Sequence, residues 1–138
     1  MIAHSEWKYD EVFECTTEDG KTITIDADSA HTHGPSPLQA VLMALCSCTS
    51  VDVVSILKKK RQGLTGLRVT ATATQANDPP RVFTQIKLTY AVRGTLSRKA
   101  VESAVSLSKN KYCSVSKMLE KSAVMECEVV YPDGEPQP

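Results

Sequence analysis

The stretch SPLQAVLMALCSCTSVDVVSILKKKRQG, Ser36 to Gly63, constrains the chain more than any other. It reads as one long helix with both ends marked. Ser36 suits the N-cap, Pro37 fits the first helical position because its missing N–H would be unpaired there anyway, and Gln39 completes an S-x-x-Q capping box. Lys58, Lys59, Lys60 and Arg61 lie where the helix dipole favours cations, and Gly63 can close the helix in the left-handed conformation. Between Ala40 and Leu57 the only formal charge is Asp52, and apolar side chains fall on every face of the first three turns. A rod of about 39 Å of this character needs cover on all sides. Ser47, Thr49, Ser50, Asp52 and Ser55 interrupt the run, which favours burial in a soluble fold over a bilayer span. A chain of 138 residues is short for wrapping such a helix, so a homodimer is expected to supply the missing cover.

The flanking segments read mainly as strands. Trp7 to Cys15 alternates apolar and polar residues, Glu18-Asp19-Gly20 turns the chain, and Thr22 to Ala27 alternates again, which predicts a hairpin. His31 and His33 fall in the loop that feeds the helix. Beyond Gly63, Val69 to Thr74 and Val82 to Arg93 predict a second hairpin broken by Asn77-Asp78-Pro79-Pro80. Ser97 can cap a helix with Val101, Ala104, Val105 and Ser108 on one face. A shorter helix follows Cys113 through Val115, Met118 and Leu119, and Ala123 to Tyr131 forms a last strand. The order β-β-α-β-β-α-α-β belongs to the α+β class, one domain over residues 1–131 with a disordered tail at 132–138.

Lysine plus arginine equals aspartate plus glutamate, so no field draws nucleic acid or an anionic membrane, and neither partner is expected. MIAHSEWKYDEVF has no apolar core behind a basic start, so a secretory signal is not expected and the cytoplasm is. There is no phosphate loop, dinucleotide fingerprint or serine elbow, and no cofactor is expected.

The cysteines remain. Cys15 and Cys127 share the apolar phase of their strands and read as small buried hydrophobes. Cys46 and Cys48 sit two apart on a helix, about 200° away from each other, so they cannot bind one metal or join each other. Asp52, one turn after Cys48, would disfavour a thiolate there if ionised and close. Cys113 precedes a helix N-terminus with Lys109, Lys111 and Lys117 nearby in sequence, which makes it the best candidate for a reactive thiol on local grounds; the alternative is that those lysines only solvate a loop. Metal binding through His31, His33 and a nearby thiol is a further reading, against simple solvation of the two histidines.

GPSPLQAVLMALCSCTSVDVVSILKKKR, followed 65 positions after Cys48 by LSKNKYCSVSKML, resembles the OsmC/Ohr family of osmotically inducible and organic hydroperoxide resistance proteins. The likeness runs from about Trp7 to Tyr131 and is closest to the YhfA-like branch. It implies an α+β, OsmC-like fold in an intertwined homodimer. It implies a thiol peroxidase of organic hydroperoxides with Cys48 as the peroxidatic and Cys113 as the resolving cysteine, recycled by an external dithiol such as a lipoylated protein. The family peroxidases hold the reactive thiolate with an N-terminal Arg, oriented by a Glu just after the helix-opening Pro. Here the first arginine is Arg61, Leu38 and Gln39 follow Pro37, and Lys8 and Lys21 are the candidates for a replacement cation. The second reading is therefore a non-enzymatic dimer of the same fold that binds a small apolar ligand or partner.

Overall fold

The computed structural model describes residues 1–138. The chain forms two compact units, Met1–Met43 and Ala44–Pro138. In chain order the elements are β1 (Ala3–Tyr9), β2 (Val12–Thr17), β3 (Thr22–Asp26), α1 (Pro37–Lys59), β4 (Gly63–Gln75), β5 (Phe83–Thr95), α2 (Arg98–Leu107), a π-turn (Ser108–Tyr112), α3 (Ser114–Leu119) and β6 (Val124–Val130). The α+β class is as expected.

In the first unit β1, β2 and β3 form one antiparallel sheet in that order. The single strand expected from Trp7 to Cys15 is two strands. The chain reverses at Asp10-Glu11, with Asp10 at φ 44° and Tyr9 paired with Val12 across the turn. Both sides of the turn keep the apolar phase, which is why the alternation read as unbroken. The Trp7 indole N–H donates to the Asp10 carbonyl at 2.9 Å and closes the corner.

Helix α1 begins as its sequence dictates. The Gln39 N–H donates to Ser36 Oγ at 3.1 Å, and the Ser36 N–H donates to Gln39 Oε1 at 2.8 Å, a reciprocal capping box. It ends differently. Arg61, not Gly63, takes the left-handed conformation, at φ 54°. The Gln62 N–H reaches the Leu57 carbonyl and the Arg61 N–H the Lys58 carbonyl, both at 3.0 Å, which is the Schellman arrangement. Gly63 starts β4 instead, where a Cβ would come within 3.2 Å of the Thr95 carbonyl oxygen.

In the second unit β4 and β5 pair antiparallel, and β6 pairs parallel to β5 with Leu88 opposite Cys127 and Tyr90 opposite Val129. Parallel pairing needs a crossover, and α2, the π-turn and α3 provide it. The core combines Leu45, Val53 and Leu57 of α1, Ile86, Leu88, Tyr90 and Val92 of β5, and Val101 and Ala104 of α2. By length and hydropathy α1 passes as a membrane span. Its stripe of Leu45, Thr49, Val53 and Leu57, four residues apart, is nevertheless sealed inside the protein. Elsewhere on α1 the cover is partial, and Met43 and Val51 are 57% and 68% exposed.

The tail expected to be disordered lies against the start of α2. The Arg98 N–H donates to the Gln137 carbonyl at 2.7 Å, and Arg98 also pairs with Glu135.

Truncating Leu57 to Ala removes the last side chain of the sealed stripe and should cost about 3 kcal/mol. A lower urea midpoint with unchanged slope is the expected result.

Candidate functional site

The site is built on the buried face of α1. Thr49 is fully buried there among apolar neighbours, and its hydroxyl has two partners, Tyr90 Oη and Ser108 Oγ, each at 2.8 Å. Ser108 in turn donates to Asp52 Oδ2 at 2.8 Å. Asp52 lies one turn beyond Cys48, but its carboxylate is turned toward Ser108. The four groups form a continuous polar thread through an otherwise apolar core. Burial drives the Tyr90 phenol well above its ordinary pKa, although the Thr49 hydroxyl opposes this.

Cys48 and Cys113, 65 residues apart in sequence, are brought near each other, close enough for the Cys48 sulfur to bear on the Cys113 thiol. Cys113 is 0% exposed and caps α3. Its placement follows from the π-turn, whose last bond runs from the Cys113 N–H to the Ser108 carbonyl at 2.9 Å. Single π-turns of this kind recur at functional sites.

The lysine argument for Cys113 fails. Burial pushes its thiol above the ordinary value, and the neighbouring Cys48 sulfur adds to the rise. Opposing this, the Ser116 N–H donates to the Cys113 sulfur at 3.4 Å, and the Ser116 side chain also favours the thiolate. The Ser116 hydroxyl is otherwise without a partner in its buried position. The three lysines are occupied elsewhere: Lys109 donates to the Met125 carbonyl, Lys111 lies over the Tyr112 ring, and Lys117 pairs with Glu120. Sequence proximity placed them near Cys113; the turn geometry aims them away.

The other candidates fall out as follows. Cys46 is half-buried, its thiol pushed up by burial while the Ala71 N–H opposes the shift. Cys15 donates weakly to Ser5 Oγ across β1 and β2 at 3.7 Å. Lys8 pairs with Glu6 and Glu14, and Lys21 with Asp19, so both lie in local ion pairs of the first unit. His31 Nδ1 bonds the Asp26 carbonyl at 2.9 Å, and His33 Nδ1 bonds the Asp26 carboxylate at 3.2 Å. The histidines thus fasten their loop to a buried Asp26, and no cluster of three His, Cys, Asp or Glu side chains forms a metal-binding group.

A cavity of about 380 Å³ opens beside the thread, lined by Asp52, Ser55, Ile56, Lys59, Lys60, Leu107 and Tyr112. Asp52 joins this cavity to the thread, and neither Cys48 nor Cys113 lines it. Sequence reasoning singled out both cysteines as candidates and gave no role to Tyr90, Thr49 or Ser108. The signal available for Thr49 was a β-branched hydroxyl in the middle of the Leu45-Val53-Leu57 stripe.

A family model described as OsmC-like protein matches residues 28–128. Protein YhfA of Escherichia coli strain K12 is 42% identical over 123 residues, which cover 88% of this chain and 91% of that protein. A hypothetical protein of Aquifex aeolicus VF5 superposes with a TM-score of 0.86 at 30% identity, covering 97% of each chain. OhrB, the organic hydroperoxide resistance protein of Bacillus subtilis, superposes with a TM-score of 0.64 at 17% identity, over 94% of this chain and 98% of that one, a likeness of fold.

The raised thiol of Cys113 gives a signed pH prediction. A group whose folded pKa lies above its unfolded value contributes stability below the unfolded value, about 8.5 for a thiol, and loses it as pH rises toward the folded value. Denaturation midpoints should therefore fall above about pH 8.5. The fall should be shallower in Cys113→Ala, with the remainder carried by Cys46 and Cys127, which burial shifts the same way.

Proposed function

Because the chain belongs to the OsmC-like protein family, we propose that it is a thiol peroxidase that reduces organic hydroperoxides. The nearness of Cys48 to Cys113 carries the reading. In the first step the Cys48 thiolate attacks the terminal peroxide oxygen. A sulfur–oxygen bond forms, the O–O bond breaks, and the departing alkoxide takes a proton to leave as the alcohol. In the second, the Cys113 thiol attacks the Cys48 sulfenic acid, forming the disulfide and releasing water. An external dithiol, such as a lipoyl group on a protein, reduces the disulfide by exchange and restores both thiols.

The environments suit these roles. A resolving thiol has no need to be ionised before oxidation, and burial keeps Cys113 protonated. Once it becomes a leaving thiolate during recycling, the Ser116 N–H and hydroxyl stand ready to donate to it.

A homodimer completes the proposal, working in the cytoplasm. The exposed Met43 and Val51 on α1, and Trp7 and Ile23 on the N-terminal sheet, are large apolar groups that a second copy would cover. The absent family Arg and Glu favour the second reading, a ligand-binding dimer without turnover.

Reduced protein treated with a slight excess of an organic hydroperoxide, then mapped by mass spectrometry, decides between them. The expected product is a Cys48–Cys113 disulfide that is absent in Cys48→Ser and replaced by oxidised Cys48 in Cys113→Ser. Five unmodified thiols, under conditions that oxidise an established peroxidase of the family, would leave only the ligand-binding dimer.

A further inference from the structure

The cavity beside the polar thread lies wholly within the second unit and is lined by neither cysteine of the pair. Two polar bridges frame it. At its inner end Ser108 donates to Asp52 Oδ2 at 2.8 Å, and at its outer end Lys60 Nζ donates to Ser103 Oγ at 2.9 Å. Moving forward along α1 from Asp52 to Lys60 means moving back from Ser108 to Ser103, so α1 and α2 run antiparallel there. Asp52 and Lys60 are eight residues apart, about 12 Å along the helix. Over that span Ile56 and Leu107 line about 380 Å³ of open space instead of filling it. Pockets that hold small molecules begin at about 300 Å³.

The two ends offer opposite chemistry. Ser108 fixes the Asp52 carboxylate through one oxygen, and a carboxylate keeps acceptor capacity for a second donor. Lys60 spends one of its three ammonium protons on Ser103, and Lys59 beside it forms no ion pair within the chain. Between the ends the walls are Ile56, Leu107 and the half-exposed Tyr112. Asp52, Ile56 and Lys59 stand at i, i+4 and i+7, so acceptor, apolar wall and cation follow one another along one face of α1.

We propose that this cavity is a binding site for a small hydroxyaryl carboxylic acid. The carboxylate rests on Lys59 and Lys60, the ring packs on Ile56, Leu107 and Tyr112, and the phenolic O–H donates to Asp52. Two lysines against one carboxylate select an anion, and Lys111 over the Tyr112 ring adds to the positive field. The orientation is fixed by Asp52, which repels a carboxylate at the inner end and accepts a neutral donor there. The length is fixed by the helix. Seven residues separate Asp52 from Lys59, about 10 Å, a span that one ring, a two-carbon arm and a hydrogen bond at each end can fill. A flat ring also suits a wall that includes an aromatic side chain. The site stands apart from the thiol chemistry, and its ligand is held without any covalent change.

The test is an NMR titration of backbone amides in the full reduced chain with 3-(4-hydroxyphenyl)propionate at about pH 7.5, where the acid is ionised and the phenol is not. Saturable shifts should centre on Ser55, Ile56, Leu107 and Tyr112. The analogue 3-phenylpropionate, which lacks the hydroxyl, should bind about tenfold more weakly. Tyrosine, whose ammonium would approach the two lysines, should bind more weakly than 3-(4-hydroxyphenyl)propionate. Lys59→Gln should weaken binding about fivefold at low salt and less than that at about 0.5 M salt. In Asp52→Ala the advantage conferred by the hydroxyl should shrink below about twofold. Ser55 is an exposed position on the cavity lip, so Ser55→Trp obstructs the space without entering the core and should abolish the shifts. That variant carries the test if Asp52→Ala does not fold. Equal affinity of the starting protein for the two propionates overturns the proposal. Binding that survives Ser55→Trp, or no saturation up to about 10 mM, overturns it as well. No peroxide is present in these titrations, so neither result depends on whether Cys48 reduces one.

Discussion

A hydroxyl buried in an apolar helix face costs about 1–3 kcal/mol if it goes unpaired. Thr49 carries such a hydroxyl, and satisfying it fixes much of the second unit. Its partners come from two other elements, Tyr90 from β5 and Ser108 from the end of α2. Leucine and valine contacts tolerate sliding by fractions of a turn; two hydrogen bonds of 2.8 Å do not. Rotation and axial position of α1 are thereby set, and the residue before Thr49 is delivered to Cys113.

The same anchoring explains why two cysteines with similar sequence surroundings differ. Cys46 and Cys48 both sit in CSCTS, yet Cys46 faces the Ala71 backbone while Cys48 meets a thiol. A polar residue on an apolar stripe is commonly read as a flaw in amphipathicity. Here it is the part of the stripe that makes the packing unique.

Much of the fold was legible because its signals are local. Ser36 and Gln39 cap α1, Ser97 caps α2, and the Val101-Ala104-Val105-Ser108 face is buried, each determined within a few residues of chain. The misreadings share the opposite property. Arg61 takes the left-handed position because Gly63 lies against Thr95, a strand partner distant in sequence. The lysines around Cys113 could not be aimed without knowing that a π-turn intervenes. Asp10 reverses the chain without disturbing the apolar phase, so alternation alone was blind to it. For the candidate site, motif spacing singled out Cys48 and Cys113. The thread beneath them was invisible, because Thr49, Tyr90 and Ser108 are each ordinary in their own segment.

The parallel pairing of β6 with β5 has a consequence for how the molecule comes into being. Parallel strands close only after the crossover between them exists, and here it spans everything from Thr95 to Val124. During vectorial synthesis the β4–β5 hairpin can form early, while its outer edge waits for a strand made much later. Tyr90 accordingly lacks its strand partner Val129 until the end of assembly. The newborn chain therefore passes through an interval in which Cys46 and Cys48 are present while Cys113, which Cys48 lies near in the finished fold, is still to be made.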